Sequence, residues 1–551
     1  MPSTYRSPIF ELSDKYISGL AALSPISATN LGISGYDDQL DDFSSQGSQQ
    51  MAGYIRTTLK SLEALQPKDE IDRIAKAVMH ERLTSELALF DSHERDVLWN
   101  VISSPVMDIR QVFEIMPHET EQEISDVAAR LNAVAEAHES WLSCIDDLAK
   151  DGHITSRRQT LGVAEQLDAF SQGAYSGIAE QVDPSGRYPE LHAAGAAADK
   201  SAGETSQWLK NEYLSRSNPN DAVGAERYVA CARHFTGATL DLRATYEWGL
   251  EDLAQINERM WRVAAKIKPN AKTLREVADH LDSDPKYLVH GKDALLQKLK
   301  DFTQAAVEHM DGIYFDIDDR IKFCDVRLAP EGSASAPYYQ SPSEDLSRPG
   351  TTWYPALGKD TFKWWDLPST WYHEAVPGHH LQSAVAIIER DRLSRFQRTE
   401  AWTSGYGEGW ALYAERLMDE LGAFGDPGIE MGFLSGQALR AARVVVDIGM
   451  HLGYTDYNGE VWNARSAYEV LMNRALLDDA HATSEVDRYL GWPGQAISYK
   501  VGERVWMKTR EDAKQRLGAN FSLKKFHSYA LKLGPMGLDP FAVEMSHWDG
   551  N

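Results

Sequence analysis

The chain has 551 residues, 43% of them hydrophobic, enough for a large buried core and, by length alone, for two to four domains. Acidic residues number 82 against 56 basic ones, a formal charge of -26 with no run of five basic residues, which argues against nucleic acid and anionic membrane surfaces as partners. Three scattered cysteines, Cys144, Cys231 and Cys324, have no CxxC spacing and argue against a disulfide framework or a thiolate metal site.

The N-terminal residues Met1 to Arg6 lead into mixed polar sequence without the apolar run of a signal peptide, and no stretch approaches the roughly 18 apolar residues of a membrane span, so the cytoplasm is the expected location. Asp126 to Lys150 carries Val127, Leu131, Val134, Trp141, Ile145 and Leu148 at helical spacing, and Asp151-Gly152 ends it. The Pro-, Gly- and Ala-rich segment 183–206 reads as a loop or lobe boundary. It suggests an N-terminal helical lobe over 1–205 and a C-terminal lobe over 206–551, or one continuous domain. Thr273 to Glu276 reads as a capping box, and Leu295 to Met310 as an amphipathic helix. From Ser333 to Leu357, Pro, Gly and Ser punctuate two aromatic runs, Pro337-Tyr338-Tyr339 and Thr351 to Tyr354, which predicts a small hairpin. Helices are again predicted around 400–420, 436–452 and 460–478.

Residues 371–382 read Trp-Tyr-His-Glu-Ala-Val-Pro-Gly-His-His-Leu-Gln. Three histidines and a glutamate within eight residues suit a divalent metal, and a glutamate directly after the first histidine is the arrangement in which zinc peptidases place their general base. The spacing departs from HExxH. Position i+4 is Pro377, and the next histidines fall at i+6 and i+7. Seven residues of unbroken helix rise about 10 Å, too far for two ligands that each sit about 2 Å from one ion. Pro377-Gly378 is therefore expected to break the helix and fold the insertion so that His379 returns beside His373. His380 is the alternative ligand. The third ligand is expected from GYGEGWALYAERL, with Glu408 first and Glu415 as a fallback or supporting partner. The stretch Glu-Gly-Trp-Ala resembles the zinc-binding Asn-Glu-Gly-Phe-Ala helix of gluzincin aminopeptidases.

These motifs resemble the bacterial domain of unknown function 885 family, a gluzincin-like group of zinc metallopeptidases in style. The resemblance runs through most of the chain: Ala22 to Gly32, His373 to Gln382, Glu408 to Glu415, Arg443 to His451, Arg488 to Gly502 and Leu533 to Pro540. Several members carry a lipoprotein signal, which is not legible here. Together with the helical patterns, the resemblance implies a mainly α, two-lobed, zincin-like (gluzincin) architecture with a small β-hairpin or short sheet at the active-site cleft, and one zinc ion.

The expected chemistry is hydrolysis of a peptide or amide bond, with Glu374 as general base. Tyr499 is the first candidate for stabilising the oxyanion and His451 the second. Arg443, Asp447 and His451 fall at i, i+4 and i+8 and form either a structural ion ladder or part of the site. Arg443 or Lys500 is a candidate for binding a substrate carboxylate, and Tyr338, Tyr339 and Trp353 for lining subsites along an edge strand. Three rival functions use the same residues: an amidohydrolase acting on a small metabolite, a non-haem iron oxygenase with two histidines and a carboxylate, and a non-catalytic helical binding protein. A small peptide or amide is the expected partner, and nothing in the sequence sets the oligomeric state.

Overall fold

Amphipathic runs become helices along most of the chain in the computed structural model, which describes residues 5–330 and 336–551. Helix takes up 68% of it and strand 4%, so the mainly α expectation holds. The predicted helix ending at Lys150 begins at Glu121. Its start is fixed by a capping box in which Thr120 accepts from the Glu123 amide while Glu123 reaches back to Thr120. The box expected at Thr273 is half formed. Thr273 caps Glu276, but the Glu276 carboxylate accepts from the amide of Lys272, one residue earlier.

The segment 183–206, expected as a loop or boundary, is largely helix, Pro189–Trp208. Pro189 sits in the first turn, where its missing amide costs nothing. Leu191, Ala194, Ala198, Ala202 and Thr205 then form a buried stripe of mostly small residues along one face. Composition suggested a loop or lobe boundary, but small side chains at helical spacing let this helix pack closely on Glu121–Lys150.

The apolar interior divides into two large cores. One lies between Ile26 and Tyr213 and is built mainly from helices Glu121–Lys150, Arg157–Phe170 and Pro189–Trp208. The other joins helices Pro8–Leu23, Ser45–Ala64 and Glu70–Asp91 to the chain beyond Tyr228. A cut at 205 would leave those three helices of the second core on the N-terminal side.

The strands are short. β1 (Leu288–His290) pairs antiparallel with β5 (Thr361–Lys363). β4 (Thr351–Tyr354) is the centre of a three-stranded sheet, parallel to β2 (Asp325–Leu328) and antiparallel to β3 (Tyr338–Gln340). The predicted hairpin is thus present, with Tyr338 opposite Trp353 and Tyr339 opposite Thr352. Its opening residues Ser333 to Ser335 lie outside the described residues. The strands pack on helix Lys292–Met310 through Val289, Leu295, Leu299, Val326 and Phe362, and the same core takes in Leu367, Trp371 and Ala375.

Leu367 and Trp371 belong to the first of the helices that carry the motifs, and Ala375 directly follows its end. We label these helices α1 (Leu367–Glu374), α2 (His379–Ile388), α3 (Ser404–Glu420), α4 (Pro427–Leu452) and α5 (Ser498–Leu517). α3 and α5 cross with their backbones in contact: a Cβ on Gly409 would lie 2.5 Å from the Cα of Gly502. Only glycine at both positions allows that approach, and it brings the start of α5 beside the start of α3.

Candidate metal centre

The helical break falls where the sequence predicts it. α1 stops at Glu374, the peptide between Val376 and Pro377 is cis, and α2 starts at His379. The amide of Gly378 donates to the carbonyl of Tyr372 at 3.0 Å, folding the chain back against the end of α1. A Cβ on Gly378 would lie 1.8 Å from the His373 carbonyl oxygen, so no other residue fits. The indole N–H of Trp410 donates to the carbonyls of both Pro377 and Gly378 at 3.0 Å. It supplies the partner those buried carbonyls need and ties the break to α3.

As a result, two histidines six positions apart converge. The rings of His373 and His379 stand perpendicular, with centroids 4.9 Å apart. Glu408, from the second turn of α3, places one oxygen 3.1 Å from Nε2 of His373 and 3.5 Å from Nε2 of His379. All three ligand atoms lie within 4.8 Å of one another. Tetrahedral ligands about 2.0–2.2 Å from zinc stand roughly 3.3–3.6 Å apart, so the trio fits one divalent ion with modest contraction. Glu415, two turns along the same face of α3, is not part of the trio. Its carboxylate accepts from Nδ1 of His373 at 2.8 Å and from the hydroxyl of Ser369. It thereby fixes the His373 tautomer that leaves Nε2 toward the cluster, the supporting role of a carboxylate behind a metal-binding histidine.

The electrostatics follow from this crowding. Burial disfavours a charged His373, but hydrogen bonds with Glu408 and Glu415 outweigh it and hold the ring at about 10. Burial likewise opposes the Glu408 and Glu415 carboxylates. Hydrogen bonds with His373 and His379 nevertheless bring Glu408 well below the usual range, and the Arg440 charge followed by His373 brings Glu415 below it. Glu374 is pushed up, first by burial and then by the Glu408 charge. Tyr499, in the first turn of α5, is also raised by burial and by Glu408. Its ring carries the Arg443 guanidinium at 4.6 Å, and its hydroxyl has no protein partner among the described residues.

One family model matches residues 25–545 and is described as a bacterial protein of unknown function, DUF885. The chain belongs to this family. Its description carries no activity. No curated protein matches. The fold is also that of two solved structures, each described as a "putative lipoprotein". The one from Colwellia psychrerythraea is 22% identical, with a TM-score of 0.85 and 98% of both chains covered. The one from Shewanella oneidensis is 20% identical, with a TM-score of 0.78, covering 98% of this chain and 100% of that one. Among the described residues of this DUF885 protein, no helix is long and apolar enough to cross a membrane.

Several residues named from the sequence of this DUF885 chain lie elsewhere. His380, the alternative ligand, points away from the cluster. Its Nε2 lies 2.8 Å from the carbonyl of Ile321 and its Nδ1 3.0 Å from the hydroxyl of Tyr339, and burial holds it at about 4. Neighbouring residues on a helix project about 100° apart, so only one of the two can face the ion. Tyr339 is therefore engaged behind the site. Tyr338 and Trp353 stack on each other on the opposite face of the hairpin, with centroids 6.1 Å apart. Lys500 is buried and bonds Gln437 at 2.7 Å and Glu503, with Asp252 at 3.3 Å; its charge is already neutralised. His451 lies at the far end of α4, with its ring nitrogens 2.9 Å from the carbonyl of Tyr489 and 3.4 Å from the amide of Val223. Asp447 accepts from Tyr228 and the amide of Gly494 and lies 3.7 Å from Nε2 of His451, so the predicted ladder keeps its Asp447–His451 rung and loses the one to Arg443. Arg443 pairs with Glu485 at 2.9 Å, which occupies the group proposed for a substrate carboxylate.

Sequence reasoning overlooked Arg440. It sits one turn before Arg443 on α4, 3.7 Å from Glu415, with a buried Nε that finds no partner. The three-residue spacing from Arg443 was the available signal.

Proposed function

We propose that this DUF885 protein is a metal-dependent hydrolase of peptide or amide bonds, with zinc as the ion. The observation that carries this reading is the convergence of His373, His379 and Glu408 within one ion's reach, with Glu415 behind His373. Three protein ligands leave room for a further ligand, as catalytic zinc sites do and closed structural ones do not. A bound zinc ion would supply Lewis acidity toward the scissile carbonyl and toward water.

The chain's own residues divide the remaining work. Glu374 follows His373 directly, is pushed up by burial, and takes a proton from water and returns it to the leaving amine. Tyr499, its hydroxyl unclaimed and Arg443 against its ring, donates a hydrogen bond to the oxygen on which charge develops. Glu415 and Ser369 keep His373 in the required tautomer.

Metal content by mass spectrometry and turnover of a panel of blocked and unblocked dipeptides and small amides test this reading. One zinc per chain is expected, with Glu374→Gln retaining the zinc and losing at least about 100-fold in turnover. Iron in place of zinc, or unchanged turnover in Glu374→Gln, would overturn it. The relatives' lipoprotein descriptions set an envelope location against the cytoplasmic expectation, and cell fractionation tells the two apart.

A further inference from the structure

Glu408 is also part of the wall of a cavity of about 620 Å³ between the N-terminal helices and the start of α3. That volume lies within the roughly 300–1,000 Å³ of small-ligand sites. Trp402 forms part of the wall and is 53% exposed, unusual for so large an apolar side chain. It lies flat on the first turn of α3. A Cβ on Gly407, the residue before Glu408, would be 2.5 Å from its indole nitrogen. The result is an open aromatic shelf next to a candidate metal ligand.

The polar lining is unbalanced. The cavity's two arginines are already spoken for: Arg82 makes two hydrogen bonds of 2.6 Å to Glu81, and Arg95 lies 3.4 Å from Glu86. Asp41, Asp108 and Glu400 also line the cavity, and none makes a salt bridge among the described residues; Arg130 and Arg95 act on Asp41, and Arg95 on Asp108, only through space. Burial pushes all three carboxyls up. A concave wall of carboxylates without salt bridges focuses negative potential inward. Separately, Trp99 and Trp141 line the same cavity at 2% exposure each, and neither buried indole N–H has an acceptor. Buried donors of this kind normally have partners. Acceptors for the indoles, a cation for the carboxylates and an apolar stem for Trp402 describe a peptide: backbone carbonyls, with a positive charge on a hydrocarbon stem or at a free amine.

We propose that the substrate seats in this cavity and is a short peptide carrying positive charge on the part that extends away from the metal centre. The proposal rests on the hydrolase reading of the same site. Calorimetric titration of zinc-loaded Glu374→Gln protein tests it with four amidated tetrapeptides. These are acetylated Ala-Lys-Ala-Lys, Ala-Leu-Ala-Leu and Ala-Glu-Ala-Glu, and unacetylated tetra-alanine. The Lys peptide or the free-amine peptide is expected to bind at least about tenfold more tightly than the Glu and Leu peptides, and which of the two leads identifies the charge as side chain or α-amine. That preference is expected to shrink as salt rises. Adding Asp108→Asn, a conservative change, or Asp108→Asn with Glu400→Gln is expected to reduce it severalfold. Equal affinities for all four peptides, tighter binding of the Glu peptide, or an undiminished preference in the folded variants would overturn the proposal. Turnover by the unmodified protein is measured alongside. Charge-selective binding without turnover defeats the hydrolase reading alone, and turnover blind to charge defeats the present inference alone.

Discussion

The indole nitrogen of Trp410 lies 3.0 Å from the carbonyl oxygen of Gly378, 32 residues earlier in the chain. Trp410 follows Glu408 by two positions, and Gly378 precedes His379. The bond therefore joins the helix bearing the candidate carboxylate ligand to the break that turns the second histidine inward. A histidine spacing that no straight helix tolerates is held in place by a residue of the other motif.

The two adjacent histidines are expected to differ sharply. His379→Ala removes a ligand and should weaken zinc binding by more than about 100-fold in competition with a chelator. His380→Gln should leave zinc affinity within a few-fold and lower stability, because Ile321 and Tyr339 lose a buried partner. Loss of zinc in His380→Gln with retention in His379→Ala would reverse the assignment.

Glu415→Gln replaces the acceptor behind His373 with an amide of the same shape. Zinc affinity should fall by about 10- to 100-fold while the fold persists, since the amide fills the same space and its single oxygen can still accept from Ser369 while its NH2 group faces His373. Chelator competition together with circular dichroism checks both halves. An unchanged affinity would show that Glu415 is not the partner that orients His373.

Gly409→Ala forces a methyl group into the backbone of Gly502 and should destabilise the protein by about 1–3 kcal/mol in urea unfolding. Gly53→Ala is the control. It lies in helix Ser45–Ala64 with no atom within 4 Å of the added carbon, and should be neutral or mildly stabilising. Equal effects of the two changes would mean that α3 and α5 do not meet at their glycines.

Two buried histidines away from the metal centre set a pH dependence. Burial holds His138 at about 4, beside Ser201 at 2.9 Å, and His527 at about 3, between Tyr413 and the carbonyl of Tyr314. The unfolded chain protonates both below about 6.5, whereas the folded chain does not until pH falls to those lower values. The unfolded state thus binds more protons across this window, so stability is full above pH 6.5 and falls as the solution is acidified. Each histidine should remove about 2 kcal/mol between pH 6.5 and 5. Urea midpoints measured across that range should decline, and less steeply in His138→Gln. A flat profile, or the same slope in the variant, would count against neutral burial.

Local chemistry was legible in the sequence. The helices, the small hairpin, the break at Pro377-Gly378 and the candidate ligands His373, His379 and Glu408 follow from rules that act within a turn or two of chain. The directions of His380, Lys500 and His451 did not follow. Each is claimed by a partner distant in sequence, such as Ile321, Asp252 or Tyr489, and a buried polar group is oriented by whichever partner satisfies it. Segment 183–206 misled for a related reason: its small residues signal a loop or lobe boundary in isolation and a tight helix contact only when Glu121–Lys150 lies against them. The sequence by itself determined that histidines and carboxylates suited to one divalent ion lie in two nearby motifs. Tertiary packing decided which side chains face inward, placed Arg440 and Tyr499 beside them, and enclosed the acidic cavity, because all of these depend on contacts between helices that no local pattern encodes.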